Sequence, residues 1–451
     1  LGWAVGIGQM GGGFVRGTAT VSEFVKREIM QRTGISDASF VNLYDAKKEK
    51  FENIKKHRIK TFNVESLSSL AEKVLEQAKL NGGQRVLVVV NTVPRVQELY
   101  EELRSSVDQN VELLLLHSRF TVSDRQSLEA QIQKSFKNPK RSPDGAKILV
   151  ATQVVEASLD IDADVLFTEL APLDALVQRM GRALRRIGPQ FDSLGDGLYR
   201  APNGEEYRIV TDAPNVYLFC LKDTVKRSPY SVVSVELLLS SILVFNGLLE
   251  GRSEEEIQQE IVSFTNKKGK KSLELKEGEF LLSEYKKYRL VCFFYRVMEE
   301  AGTEYIRAFF NTLSILDAGY VSSRKSEAQR IFRKIADVSA VPESLMDSFC
   351  RDVVNFVSGN CEEKKSFTHF KRDVLSKYVV SVPWAVAKDA VMRGDGVFNK
   401  LLNMLPASEQ DLLSEYPLRS WLSNIFVVPG NYSNLGFVEA KTGKVDDANI
   451  L

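Results

Sequence analysis

Between about residues 61 and 220, short runs of apolar, β-branched residues alternate with stretches whose apolar positions recur every three or four residues. An unbroken apolar run of five or six predicts a strand covered on both faces, and the wider spacing predicts a helix with one face on a core. "RVLVVV" (85–90) is the plainest such strand. Thr92 then stands where it can cap a helix with Pro94 in its first turn, and Val96, Leu99, Tyr100 and Leu103 recur on one face. "VELLLL" (111–116) predicts the next strand, and "TVSDRQSLEAQIQKSF" (121–136) the next helix, with Leu128, Ile132 and Phe136 on one stripe. "KILVAT" (147–152), "DVLFTE" (164–169) and "NVYLFC" (215–220) complete the series. Strands and helices in alternation predict an α/β fold with a parallel sheet, whose right-handed crossovers gather the strand carboxyl ends on one rim.

Beyond about 225 the pattern changes to long helical periods such as "SEEEIQQEIVSF" (253–264) and "SEAQRIFRKIA" (326–336), with short β pieces near "KYVVSVPW" (377–384). This predicts a mainly helical C-terminal domain. "NKKGKKSLELKEGEF" (266–280) is read as an exposed loop, a solvated turn rather than a phosphate-contacting patch. The apolar run "LLLSSILVFNGLL" (237–249) is shorter than the ~18 residues that suggest a membrane span, and is read as a buried helix.

Composition narrows the classes of partner. Hydrophobic residues at 44% and charged residues at 26% are those of a globular protein, and 451 residues allow several domains. Sixty Lys and Arg against 59 Asp and Glu leave a net charge of +1, so nucleic acid would be met through local basic patches, without a cationic field over the whole molecule. Cys220, Cys292, Cys350 and Cys361 have no CxxC or Cys/His spacing, which points to a reducing cytoplasm and no metal site. The opening "LGWAVGIGQMGGG" has neither an initiator methionine nor a basic leader and reads as an internal start within a longer polypeptide.

The chemistry concentrates in "ALVQRMGRALRR" (175–186), where Arg179, Arg182, Arg185 and Arg186 crowd around Gly181. The preceding "PLDALVQRM" can bury Leu173, Leu176, Val177 and Met180, and Arg182 and Arg185 lie about one helical turn apart. Two permanently charged forks on one face suit a polyphosphate; a helix showing its arginines to water is the competing reading. For Asp160 and Asp162, in "SLDID", a turn or capping pair competes with a functional role, and His117 at a strand end is read as a satisfied structural histidine.

The stretch "ATQVVEASLDIDADVLFTELAPLDALVQRMGRALRR" (151–186) resembles motifs V and VI of superfamily-two helicases. With "LLHSRF" (115–120) and "VLVVVNTVPRVQELYEEL" (86–103) it is similar to the CRISPR-associated signature helicase of type I systems, and "SSRKSEAQRIFRKI" (322–335) and "NYSNLGF" (431–437) resemble that family's accessory region. The resemblance implies a RecA-like second lobe in which Arg182 and Arg185 act as arginine fingers toward ATP, with Gln178 orienting the nucleotide or its water. Asp160, Gly181 and Arg179 would border the nucleotide. Thr152, Gln153, Asn91, Thr92, Ser118 and Arg119 would contact single-stranded DNA along its phosphates, without base readout. "GTATVSEFVKREI" (17–29) resembles motif III, with Thr18, Ala19 and Thr20 coupling hydrolysis to DNA movement.

Two expected parts are missing from the sequence. It contains no Gly-Lys-Ser/Thr and no Asp-Glu pair, hence no P-loop and no DExx box to hold the triphosphate and Mg²⁺. His57, His117 and His369 are followed by Arg, Ser and Phe, so the His-Asp pair of the family's HD nuclease is lacking too. The expected organisation is a residual end of a first RecA-like lobe (1–60), a second lobe (61–225) and an accessory domain (226–451). The function read from it is the C-terminal part of an ATP-dependent helicase of CRISPR antiviral defence, working with an RNA-guided surveillance complex and with a P-loop lobe and HD nuclease, fused or separate, and with no membrane partner. A non-catalytic DNA- or partner-binding subunit, half of a split enzyme, or a different superfamily-two motor are the alternatives.

Overall fold

The computed structural model describes residues 23–440 except 35, 37–39, 138–144, 157–158, 196, 210–211, 222–234, 267–272, 304–305, 308–336, 360–365 and 414–415. Thr18, Ala19 and Thr20, the glycine-rich 6–13, the segment 322–335 and most of the lysine cluster at 267–271 lie outside the described residues.

A seven-stranded sheet forms the centre. Its strands are β1 (His57–Val64), β2 (Arg85–Val89), β3 (Val111–Leu116), β4 (Ala146–Ala151) and β5 (Val165–Glu169). A small antiparallel sheet of β6 (Asp192–Gly195), β7 (Leu198–Arg200) and β8 (Glu206–Arg208) intervenes before β9 (Val216–Leu221) and β10 (Gly278–Leu282) return to the main sheet. The order is β10-β1-β9-β5-β2-β4-β3, parallel throughout except that β10 runs antiparallel to β1, His57 facing Leu282 and Thr61 facing Gly278.

Alternation along the central strands divides the core. Val86, Val88, Val90, Ile148, Val150 and Phe167 point to one face, where the helices Leu67–Lys79 and Val93–Ser106 cover them. Leu87, Val89, Leu149, Ala151, Leu166 and Leu218 point to the other, against the helices Leu173–Met180, Val235–Leu249 and Glu284–Glu300. Ser240 and Ser241 are buried with their apolar neighbours, as read for that run, and among the described residues no helix is long and apolar enough to cross a membrane. The end of the expected exposed loop is different: Gly278, Glu279 and Phe280 are sheet, because β1 would otherwise leave an unpaired edge.

A third sheet, β12-β11-β13, joins β11 (Asp337–Pro342), β12 (Val380–Pro383) and β13 (Ile425–Val428) under helices such as Met346–Ser358. The hairpin of β14 (Gly430–Ser433) and β15 (Gly436–Glu439) then reaches back to the main sheet. Gln97 Nε2 donates to the carbonyls of Leu435 (2.8 Å) and Phe437 (3.0 Å), and Phe437 N–H donates to Arg119 O at 2.9 Å. Gly436 makes this approach possible: its φ is +68°, and a Cβ there would lie 2.7 Å from His117 Cε1 and 2.9 Å from Arg119 O. Gly436→Ala should therefore loosen the hairpin at a cost of about 1–3 kcal/mol, read as faster amide exchange across 430–439 with the central strands unchanged.

Candidate functional site

Residues 152–156, after the carboxyl end of β4, and 159–164, before the start of β5, lie beside the helix Leu173–Met180 and the turn that follows. The arginines of that helix and turn meet them in order. Arg179 has no exposed surface: Nε donates to Glu156 at 2.8 Å, Nη1 to Thr168 Oγ1 and Glu169 O at 3.0 Å, and Nη2 to Asn91 Oδ1 at 3.0 Å. Helical side chains lean toward their own N-terminus, which carries this guanidinium to the strand carboxyl ends. Half-buried Arg182 donates to the carbonyls of Leu159 (2.9 Å) and Glu156 (2.5 Å), and its Nε is buried without an acceptor among the described residues. Burial, and next the like charge of Arg185, lower its pKa. Arg186 spans Asp162 (2.9 Å) and Asp164 (2.8 Å). Arg185 alone of the four stands largely in solvent, 44% exposed and 3.2 Å from Asp160, itself 81% exposed.

This corrects one expectation for the nucleotide side. Arg179 cannot border a nucleotide, since its guanidinium is a core tie between helix, strand and the residues after β4. Gly181 is exposed and ends the helix with φ −64°, and an added Cβ would meet Gln178 O at 3.1 Å. Asp162 is the turn residue: buried, it accepts from the N–H groups of Arg185 (3.0 Å) and Arg186 (3.1 Å). Gln178 is exposed. A cavity of about 240 Å³ opens beside Arg185, lined by Lys137, Asp160, Ile161, Asp162, Arg186 and Gln190.

At the opposite rim, the six expected DNA contacts divide. Asn91 is buried because its N–H donates to Glu169 (2.8 Å), its side-chain amide to Leu170 O (2.7 Å), and its Oδ1 takes Arg179. Buried Arg95 pairs with the same Glu169. Thr152 is covered, its N–H donating to Leu116 O at 3.2 Å, and Arg119 is 8% exposed beneath the β14–β15 hairpin. These three do not present themselves to a strand of DNA. Ser118 is exposed, and Thr92 and Gln153 are half-buried.

His117 is the satisfied histidine its position suggested. Nδ1 accepts from Arg119 N–H at 3.1 Å, so Nε2 carries the proton donated to Leu435 O at 2.9 Å, and the ring is neutral. Burial pulls its pKa down to about 4, and burial followed by the charge of Lys287 takes the fully buried His57 well below its ordinary value. Both histidines bind protons more readily unfolded than folded, so their contribution to stability is complete above about pH 6.5 and is lost as the pH falls toward 4. Urea midpoints should drop by an amount equivalent to a few kcal/mol between pH 7.5 and 5, and His117→Gln should flatten that slope. A pH-independent midpoint would contradict the assignment.

No site that could hold a metal ion, a group of three or more His, Cys, Asp or Glu, occurs among the described residues. Residues 82–187 match the family described as CRISPR-associated nuclease/helicase Cas3, C-terminal. The CRISPR-associated endonuclease/helicase Cas3 of Escherichia coli (strain K12) is 39% identical over 134 residues, which is 29% of this chain and 15% of that protein. A putative CRISPR-associated nuclease/helicase Cas3 of Methanocaldococcus jannaschii is 32% identical over 160 residues, 36% of this chain and 20% of that one. Two solved structures share the fold at 18% identity and a TM-score of 0.52: a CRISPR-associated protein, with 96% of this chain on 48% of that chain, and T. fusca Cas3-ADP, with 86% on 41%. The chain therefore resembles the C-terminal portion of Cas3 helicases, and its matches span a minor part of those relatives.

Proposed function

We propose that this chain is the arginine-bearing part of an ATP-dependent single-stranded-DNA translocase of CRISPR defence. Its ATP site would be completed by a lobe that supplies the P-loop and holds Mg²⁺. The observation that carries this reading is the position of Arg185: three neighbouring arginines are engaged by Glu156, Leu159, Asp162, Asp164, Thr168, Glu169 and Asn91, while the Arg185 side chain projects beside the cavity and, among the described residues, is paired with the exposed carboxylate of Asp160. A guanidinium so placed can leave Asp160 for the γ-phosphate with little loss, since a solvent-exposed ion pair contributes only about 0–1 kcal/mol. Arg182 would have to release two carbonyls to join it. In this reading Arg185 is the principal finger and Arg182 ties down the segment beside it, with exposed Gln178 facing nucleotide or water.

On the same reading the residues before β1 belong to the end of the first lobe, β1 to β9 with the returning β10 form the second, and the remainder is the accessory region. Ser118, Thr92 and Gln153 are the proposed phosphate contacts, Thr18, Ala19 and Thr20 the coupling segment, and a cytoplasmic RNA-guided surveillance complex the source of the DNA.

Mixing the chain with a polypeptide that carries the P-loop lobe tests the proposal. Neither partner alone should hydrolyse ATP appreciably, and the mixture should do so with stimulation by single-stranded DNA and not by RNA. Robust turnover by the purified chain alone would overturn the division of the site, and a silent mixture that still binds DNA would identify a non-catalytic subunit.

A further inference from the structure

Behind the arginine turn lies a buried set of charged groups that the proposed reaction does not use. Lys56, just before β1, is 6% exposed and donates from Nζ to the carbonyls of Leu184 (3.0 Å) and Ile187 (2.6 Å). His57 follows it, with Nε2 2.9 Å from Ala183 O and Nδ1 2.6 Å from Lys287 Nζ. Because an ammonium can only donate, Nδ1 is the acceptor and the Nε2 proton goes to Ala183. Lys287 also donates to Glu284 at 2.5 Å, within the first turn of Glu284–Glu300, and Glu284 lies 3.6 Å from Lys56.

The set acts on one short piece of backbone. Carbonyls 183, 184 and 187 are taken from behind by Lys56 and His57, and N–H groups 185 and 186 from in front by Asp162. Between them Leu184 has φ 49°, the positive φ of a non-glycine residue among the described residues. A left-handed leucine persists only where its surroundings over-determine it, and here both faces of the turn are fixed. Buried ion clusters are seldom the most stabilising filling for a core, since apolar side chains of like volume do as well. What this one supplies is a defined conformation for the residue that follows Leu184.

We propose that Lys56 and His57, held by Lys287 and Glu284, are positioning residues that set the direction of Arg185, a role that rests on the finger reading above. They touch no nucleotide; they act through the backbone of residues 183–187, and they tie the accessory helix Glu284–Glu300 to the aim of the finger.

Lys56→Met removes both carbonyl contacts and keeps the length of the side chain. In the ATPase assembled from the full chain and a P-loop lobe it should lower kcat by ~10–10²-fold with the KM for ATP changed less than about twofold, the penalty of a finger misplaced by about an ångström. The same substitution in an Arg185→Ala background should cause no further loss. In the chain alone, amides 184–188 should exchange faster, with the β2 and β4 amides still protected. His57→Gln, which keeps a donor for Ala183, should recover most of the rate lost in His57→Phe. A wild-type kcat for Lys56→Met where Arg185→Ala is slow would overturn the positioning role alone, and so would full additivity of the two. A wild-type rate for Arg185→Ala would overturn the finger reading itself.

Discussion

Arg179→Met should lower the unfolding free energy by about 3–5 kcal/mol, the range for removing one partner of a buried hydrogen-bonded ion pair. The side chain has no exposed surface and joins four groups from three elements: Glu156 after β4, Thr168 and Glu169 at the end of β5, and Asn91 after β2. Methionine fills the apolar stem and takes the Arg179 donor from Asn91 Oδ1, while Glu169 O keeps the Thr168 hydroxyl. Glu156, whose pKa burial already raises against the pull of Arg179, would lose that counter-charge and be pushed further in the same direction. Arg179→Lys should recover a small part, because one ammonium cannot replace a fork reaching in three directions. Exposed Gln178→Ala should stay within about 0.5 kcal/mol. Urea unfolding at equal m-value is the measurement, and a loss under 1 kcal/mol for Arg179→Met would mean that water replaces these contacts.

The neighbouring Arg185→Ala should have the opposite profile. Stability should hardly change, since the guanidinium is 44% exposed and its partner 81% exposed. In the assembled ATPase, kcat should fall by about 10³-fold, the scale of a lost arginine finger, with single-stranded-DNA affinity retained. Asp160→Asn, which frees Arg185 without removing it, should not reproduce the loss. Phosphate-release rates at saturating ATP decide the matter, and an unaltered rate would exclude Arg185 from the reaction. The two substitutions lie six positions apart on the same short motif, yet one should report on folding and the other on chemistry.

How far the sequence disclosed this depends on what each residue faces. β2, β3, β4, β5 and β9 are legible because strands covered on both faces admit almost only apolar residues. β1, "HRIKTFNV", alternates charged and apolar positions beside an edge strand, and so carries a weaker pattern. β10 hides at the end of a lysine-rich tract whose composition suggests a loop. The arginine cluster is legible as a cluster, but not the division of labour within it, because the helix ends at Met180 and the turn after it, through left-handed Leu184, decides which arginine faces solvent. Asn91 and Thr152 read as rim residues since polar groups at strand ends commonly are. Asn91 turns inward to Arg179, and the backbone of Thr152 is tied to Leu116, partners distant in sequence. Glu284 and Lys287 look like an ordinary surface pair at a helix start, and only the fold brings them against His57.

The edge strand β10 lies more than fifty residues beyond the expected end of the second lobe, yet it completes that lobe's sheet. The border near 225 is thus a border of composition and not a seam. Recombination between related chains that exchanged everything beyond that point would replace a strand of the central sheet as well. A swap that left the sheet intact would have to keep residues 278–282 with the first part of the chain, or bring a donor strand of matching length to the same flank.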